Sequence, residues 1–224
     1  ITNGAANNTL EEMKTVLGFS DYSLEEMNNY NQKLVSALLE LDNTTRLGIA
    51  NSIWIKQGFG VYDDFVNVNK KVYDAQVKEL DFASPNAKNI INGWCAEKTN
   101  NCIKEVLKEI PEDARLYLLN ALYFKGIWKN QFKKSDTESE QFTNADGSRS
   151  TVYMMNMSGE RFNYAENEYF SMAEFPYGNE AFSMVVLLPA EGKSLEECLP
   201  QLTDEHWREW SNTLSNVTLN VKLP

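Results

Sequence analysis

LYLLNALYFKGIWKNQF occupies residues 116–132. Read as an extended segment, Leu116, Leu118, Asn120, Leu122 and Phe124 fall on one face and Tyr117, Leu119, Ala121 and Tyr123 on the other. Both faces are apolar, which predicts a central strand covered on both sides, with Asn120 inside it. A buried amide costs about 1–3 kcal/mol unless it is hydrogen-bonded, so Asn120 is expected to be buried and partnered. A solvent-exposed Asn120 would remove altogether the argument that it acts as a switch. Gly126 breaks the strand, and Trp128 follows as a large apolar anchor.

Working outward, residues after Pro111 read as short strands separated by Gly126, Asp146-Gly147, Gly159, Gly178 and Glu191-Gly192. Upstream the pattern is mostly helical. Thr9 is a plausible N-cap, with Met13, Val16 and Leu17 as a short apolar stripe and Gly18 as the stop. Ser23 and Glu26 form a capping-box pair ahead of Met27, Tyr30, Leu34, Leu38 and Leu41 at helical spacing. Leu47 to Lys56 alternates like a strand, Tyr62 to Asp74 suits a helix, and Gln76 to Phe82 a second strand. Ser84-Pro85-Asn86 precedes a predicted helix from Ala87 to Leu107, and Ser194 and Thr203 start two short helices. With no repeat or linker, helices first and strands later read as one α+β unit, a single domain over residues 1–224.

Composition narrows the function. A hydrophobic content of 42% supports a substantial core, and a formal net charge of -11 opposes a surface built to neutralise a phosphate backbone. Nucleic acid is therefore not an expected partner. The apolar runs are far shorter than the roughly 20 residues of a membrane-spanning helix, so no membrane span is expected. The chain starts at Ile1 with no leader, which places any export signal outside it. Cys95 and Cys102, seven apart on the predicted helix, would sit about 10.5 Å apart along its axis, too far for a disulfide. With Cys198 the count is odd, and isolated buried thiols are expected. Asn-x-Ser/Thr sequons at Asn7, Asn43, Asn156 and Asn216 would permit glycosylation in a secreted eukaryotic protein.

An enzyme needs a nucleophile, a base and an orienting group, yet His206 is the only histidine. It lies in a charged amphipathic stretch, TDEHWREW, and reads as a surface residue. A Cys95 or Cys198 partnership with His206 has no supporting local motif. No His or Cys pair has metal-ligand spacing, no phosphate loop is present, and no cofactor is expected.

Several ordered elements together resemble the serpin family: Asn120 in its apolar strand, Lys125-Gly126-x-Trp128, Phe142 after an acidic stretch, Pro176-Tyr177-Gly178, and Ser183-Met184 running into Leu187-Leu188-Pro189. The resemblance extends to Gly4-Ala5 with Thr9, Glu12 and Met13, to Asn51-Ser52-Ile53-Trp54, and to Ile91-Asn92-x-Trp94 with Thr99 and Ile103. The Val217 to Pro224 stretch resembles the family strand that normally continues into Pro-Lys-Phe. By that resemblance the chain is the amino-terminal and central part of a serpin fold, truncated at both ends. The family's hinge, reactive loop and last core strands would lie beyond Pro224.

The resemblance implies an inhibitor of serine-type or cysteine-type endopeptidases that acts as a suicide substrate, with a target protease and the missing carboxy-terminal segment as partners and an extracellular or otherwise extracytoplasmic location. Non-inhibitory carriage, storage or chaperoning is the alternative within the family, and an autonomous binding module the alternative outside it. The matching asparagine of the family belongs to the shutter beneath the central sheet, which leaves Asn120 either an ordinary satisfied amide or a switch. Trp128 marks the breach where the loop first enters, or is simply a core anchor. Asn92, Trp94 and Thr99 fall on the helix that crosses the sheet, with structural and switching roles both open. Glycosaminoglycan-activated members carry Lys and Arg on the helix matching Ser23 to Leu41. Here that helix offers Lys33 beside Glu25, Glu26 and Glu40, so heparin is not an expected partner.

Overall fold

The computed structural model describes all 224 residues. They divide into two compact units, Ile1–Lys125 and Gly126–Pro224.

The first unit is built from α1 (Asn7–Val16), α2 (Leu24–Glu40), β1 (Arg46–Lys56), α3 (Asp63–Tyr73), β2 (Gln76–Leu80), α4 (Ala87–Lys98) and β3 (Leu116–Lys125). Its sheet has the order β2-β1-β3, with β1 parallel to β2 and antiparallel to β3. The three strands expected near Leu47, Gln76 and Leu116 therefore share one sheet. Ser23 caps α2 through the anticipated box, its hydroxyl accepting from Glu26 N at 3.2 Å while the Glu26 carboxylate accepts from Ser23 N at 2.8 Å.

Two helical expectations change. Ala6, not Thr9, is the N-cap of α1, and Val16 and Leu17 are exposed rather than forming an inner stripe. The apolar repeat of α2 is buried only at Met27, while Tyr30, Leu34 and Leu41 face solvent. Spacing identified the helices; it carried no information about which neighbours cover them.

In unit one the core lies between α4 and the sheet, where Trp54, Phe82, Ile91, Trp94, Cys95 and Ala121 pack together. Ser52 is buried with Trp54, whose indole donates to Ser52 Oγ at 2.9 Å.

Unit two contains β4 (Thr137–Thr143), β5 (Arg149–Glu166), β6 (Phe170–Pro176), β7 (Ser183–Pro189), α5 (Leu195–Cys198), α6 (Asp204–Thr213) and β8 (Ser215–Leu223). The strands run β4-β5-β6-β7, and β8 also pairs with β5. Gly159 does not reverse the chain as expected. It sits inside the long β5 at φ 77°, where the β5–β8 register shifts between Ser158 and Glu160, the signature of a bulge that bends a strand without ending it. Ser194 caps α5 by a second box with Glu197, and Thr203 caps α6 through His206 N. Phe170, Met172, Cys198 and Trp210 form one core cluster of this unit, and Phe162, Phe175 and Val221 another.

Candidate functional site

β3 is the outer strand of its sheet and leaves one edge without a strand neighbour. Its two faces differ sharply. Tyr117, Leu119 and Ala121 pack against the α4 cluster, whereas Leu118, Leu122 and Phe124 are 41%, 60% and 37% exposed. Asn120 shares that open face and is itself exposed, so the expectation of a strand covered on both sides with Asn120 buried is wrong. Alternation of apolar residues reports the chemistry of a face, not the presence of something lying on it. The argument for a switch at Asn120 therefore falls altogether.

What Asn120 does have is the partner foreseen for it. Its Nδ2 donates to Asn51 Oδ1 at 3.0 Å, across the register position at which the two residues pair. Asn51 Nδ2 in turn donates to Tyr73 O at 2.9 Å. From Tyr73 the hydroxyl donates to Asn28 Oδ1 at 2.7 Å, and Asn28 and Asn3 exchange amide bonds at 2.8 and 3.1 Å. Burial pushes the Tyr73 hydroxyl up from its ordinary pKa, which keeps it a donor. A cavity of about 400 Å³ opens beside this relay, lined by Asn31, Asn51, Asn69 and Asn120 together with Phe19 and Met27. Asn51 could have been found from sequence, since it stands opposite Asn120 once β1 and β3 are paired; Asn3, Asn28 and Tyr73 carried no such signal.

α4 crosses the covered face of the sheet as predicted, but it is shorter. It stops at Lys98, because Asn100 and Asn101 take left-handed φ values of 51° and 62°, and Cys102 and Ile103 lie outside it. Ile103 is 47% exposed and adds nothing to the sheet contact expected of it. The apolar residues after Lys98 continue helical spacing without continuing the helix. Asn92 of α4 and Thr99, which proves to be the residue capping the helix and not part of it, hold that tail instead. Asn92 accepts from Val106 N at 3.0 Å and Leu107 N at 2.9 Å and donates to Leu107 O at 2.8 Å. Thr99, 1% exposed, donates to Cys95 O at 2.7 Å and accepts from Ile103 N at 3.0 Å. Trp94 is 5% exposed, and its indole N–H has no hydrogen-bond partner. An unpaired buried donor of this kind costs about 1–3 kcal/mol.

In the second unit Trp128 stacks on Tyr177 with ring centroids 4.4 Å apart and planes 14° apart, and meets Phe132 and Phe175 edge-on. Trp128 and Tyr177 also form a β-bridge, flanked by Lys129 N→Pro176 O at 2.9 Å and Gly178 N→Ile127 O at 2.8 Å. Gly126 is what permits this closeness: a Cβ there would lie 2.4 Å from Tyr177 Cδ1. Tyr177 belongs to the Pro176-Tyr177-Gly178 motif, but its stacking role is not legible in the sequence.

His206 is half-buried rather than a plain surface residue: Nδ1 lies 2.7 Å from Gln201 O and the ring stacks on Trp210 at 5.2 Å. Cys95 and Cys198 are buried thiols as expected, and burial pushes Cys95 up. Cys102 is exposed, which corrects the expectation for that position. No group of three or more His, Cys, Asp or Glu side chains is arranged to hold a metal ion.

Comparison with known proteins gives a consistent picture. The family described as "Serpin (serine protease inhibitor)" matches residues 1–224. Human neuroserpin is 30% identical over 231 aligned positions, covering 99% of this chain and 56% of neuroserpin. The native state of tengpin, a thermophilic serpin, superimposes with a TM-score of 0.87 at 30% identity, over 100% of this chain and 57% of tengpin. Native protease nexin-1 crystallised with heparin gives 0.89 at 26% identity, over 100% of this chain and 62% of nexin-1. The chain thus spans a little over half the length of these relatives.

Proposed function

Because this chain belongs to the serpin family, we propose that it supplies the sheet and the crossing helix of an endopeptidase inhibitor, serine-type or cysteine-type, that works as a suicide substrate. A target protease attacks a peptide bond in an exposed loop of the whole polypeptide, its nucleophile bonds to the scissile carbonyl carbon, and the leaving amine departs. The freed loop then adds to the sheet as a new strand before water can release the acyl-enzyme. Catalysis belongs to the protease. In this reading the reactive bond lies beyond residue 224 and both compact units belong to one serpin domain.

The observation that carries the reading is the edge of β3, where a ten-residue strand ends the sheet with no neighbour on its outer side. Main-chain donors and acceptors along such an edge favour pairing with another strand. Three further features support a movable crossing helix: the Asn92 and Thr99 clamps are short and local, the Trp94 N–H is unsatisfied, and the α4 tail is held to α4 itself. In the proposal Asn92, Trp94 and Thr99 govern how α4 yields, and Trp128 stiffens the entry to the strand. The open face of Leu118, Leu122 and Phe124 is covered by the protein's own remaining segment.

The proposed setting is extracellular or otherwise extracytoplasmic. No helix of the chain is long and apolar enough to cross a membrane. Heparin is left out of the proposal, since α2 presents Lys33 among Glu25, Glu26 and Glu40 and so lacks the cationic face a sulfated polymer requires.

The test is the stability of the full-length protein before and after a single proteolytic cut in the loop. Cutting a loop of an ordinary protein leaves stability unchanged or lowers it, whereas gaining a strand raises it. A clear rise in the unfolding midpoint is expected, and an unchanged or lower midpoint overturns strand insertion.

A further inference from the structure

Asn-Gly occurs twice in the chain, at Asn3-Gly4 and Asn92-Gly93. An asparagine followed by glycine is the dipeptide most prone to lose its side-chain amide, because no Cβ hinders the following nitrogen as it swings onto the amide carbon. The second pair lies inside α4, and its asparagine is the one that fastens the tail of that helix. Glycine is the poorest helix former after proline, yet nothing in unit one calls for it at position 93. Its φ is not left-handed, and a Cβ there would meet no atom within 4 Å. α4 thus joins its clamp to the residue that makes the clamp perishable.

While α4 is closed the chemistry is held off twice. The helix directs the Gly93 N–H along its axis to the carbonyl four residues back, away from the Asn92 side chain. Asn92 is 8% exposed and both ends of its amide are engaged, the oxygen accepting from Val106 N at 3.0 Å and Leu107 N at 2.9 Å and the nitrogen donating to Leu107 O at 2.8 Å. Local opening of α4 removes both restraints at once. The Gly93 nitrogen then gives up its proton and bonds to Asn92 Cγ, the Cγ–Nδ2 bond breaks, and ammonia leaves carrying that proton. Water opens the resulting cyclic imide at one carbonyl to give aspartate, or at the other to give an isoaspartyl linkage. Neither product refastens the tail as before. Aspartate cannot donate to Leu107 O, and the isoaspartyl linkage adds a methylene to the backbone and breaks the helical repeat.

We propose that Asn92-Gly93 is a self-modification site gated by α4, silent while the helix is closed and converted to aspartyl and isoaspartyl forms when it opens, so that the site records opening irreversibly. The reactants are the chain itself and water. Only local opening of α4 is required, whether or not a strand joins the sheet beside β3.

The test compares the native full-length protein with the same protein unfolded in urea, both kept in mildly alkaline buffer and followed by peptide mapping with mass spectrometry that separates aspartyl from isoaspartyl peptides. Asn3-Gly4 in the same digests reports the ungated chemistry, and in urea Asn92 should convert alongside Asn3. In the native protein Asn92 is expected to convert about tenfold or more slowly than in urea. Thr99→Ala, which loosens the tail without touching the reacting groups, should raise the native rate about threefold or more. Sub-denaturing urea should raise the wild-type rate in step with hydrogen exchange of the α4 amides, which keeps the gate testable if that variant does not fold. Gly93→Ala should remove the conversion in both states. Native conversion as fast as in urea, or a rate indifferent to both Thr99→Ala and sub-denaturing urea, would overturn the gate. Survival of Asn92 in urea while Asn3 converts would overturn the site itself.

Discussion

Asn92 and Leu107 exchange two hydrogen bonds, the side-chain amide of one matching the peptide group of the other at 2.9 Å and 2.8 Å. A primary amide offers the same donor and acceptor as a peptide bond, so Asn92 pairs with the tail of α4 much as a strand neighbour would. The helix and the segment that follows it are thereby fastened to each other as one body.

Asn92→Ala strips this amide and leaves the N–H groups of Val106 and Leu107 and the Leu107 carbonyl without it. A loss of about 2 kcal/mol or more in unfolding free energy is expected from partly buried groups left unpaired. Asn92→Asp keeps the acceptor and loses the donor, so it should fall between wild type and alanine. Urea denaturation of the three proteins checks the order, and an alanine variant as stable as wild type would show the pairing to be incidental.

Gly126→Ala drives a methyl into the Tyr177 ring, which cannot withdraw without breaking its stack on Trp128. Overpacking of this sort costs about 1–3 kcal/mol. The cost should largely vanish when Gly126→Ala is made in a Tyr177→Ala background, giving a strong coupling between the two sites. Near-ultraviolet circular dichroism should show the Trp128 environment change in the single variant. Additive effects would mean the close approach at Gly126 is not the constraint.

The two capping boxes predict an acid-side loss of stability. Hydrogen bonds from Ser23 hold the Glu26 carboxyl below its ordinary value of 4.5, and those from Ser194 do the same for Glu197. A depressed folded-state pKa gives stabilisation that is complete above the unfolded value and is lost as pH falls through the folded one. The unfolding midpoint should therefore drop as pH is lowered below about 4.5, and Glu26→Gln should flatten that drop, because a neutral amide still accepts from Ser23 without titrating. An identical pH profile for the variant would remove Glu26 from the account.

How far the fold could be read beforehand depended on whether a signal was local. Ser23 with Glu26 is a self-contained motif and its box forms, and Ser194, expected only as a cap, forms a box with Glu197 as well. The alternation of Leu47–Lys56 and Leu116–Phe124 pointed to the strands, but the register that sets Asn51 opposite Asn120 is seen only in the structure. The end of α4 was not legible, since Ile103, Val106 and Leu107 keep apolar spacing while Asn100 and Asn101 turn the backbone left-handed, a conformation asparagine tolerates but does not announce. Nor could the open side of β3 be read: Leu118, Leu122 and Phe124 look like core residues on their own, and their exposure depends on what else is present. Likewise Trp128 was legible as an anchor, but its partner Tyr177 lies across a strand bridge that no local pattern encodes.

Under the proposed function, the full-length protein traps a protease covalently through strand addition beside β3. Incubating the full-length protein with chymotrypsin-like, trypsin-like, elastase-like, subtilisin-like and papain-like proteases, followed by denaturing electrophoresis, tests it most directly. The account predicts, with at least one of them, a denaturant-resistant band at the summed mass of protease and inhibitor, formed only by active protease and absent when residues 1–224 alone are supplied. Clean cleavage of the full-length protein by every protease, with no such band and full protease activity remaining, would contradict it.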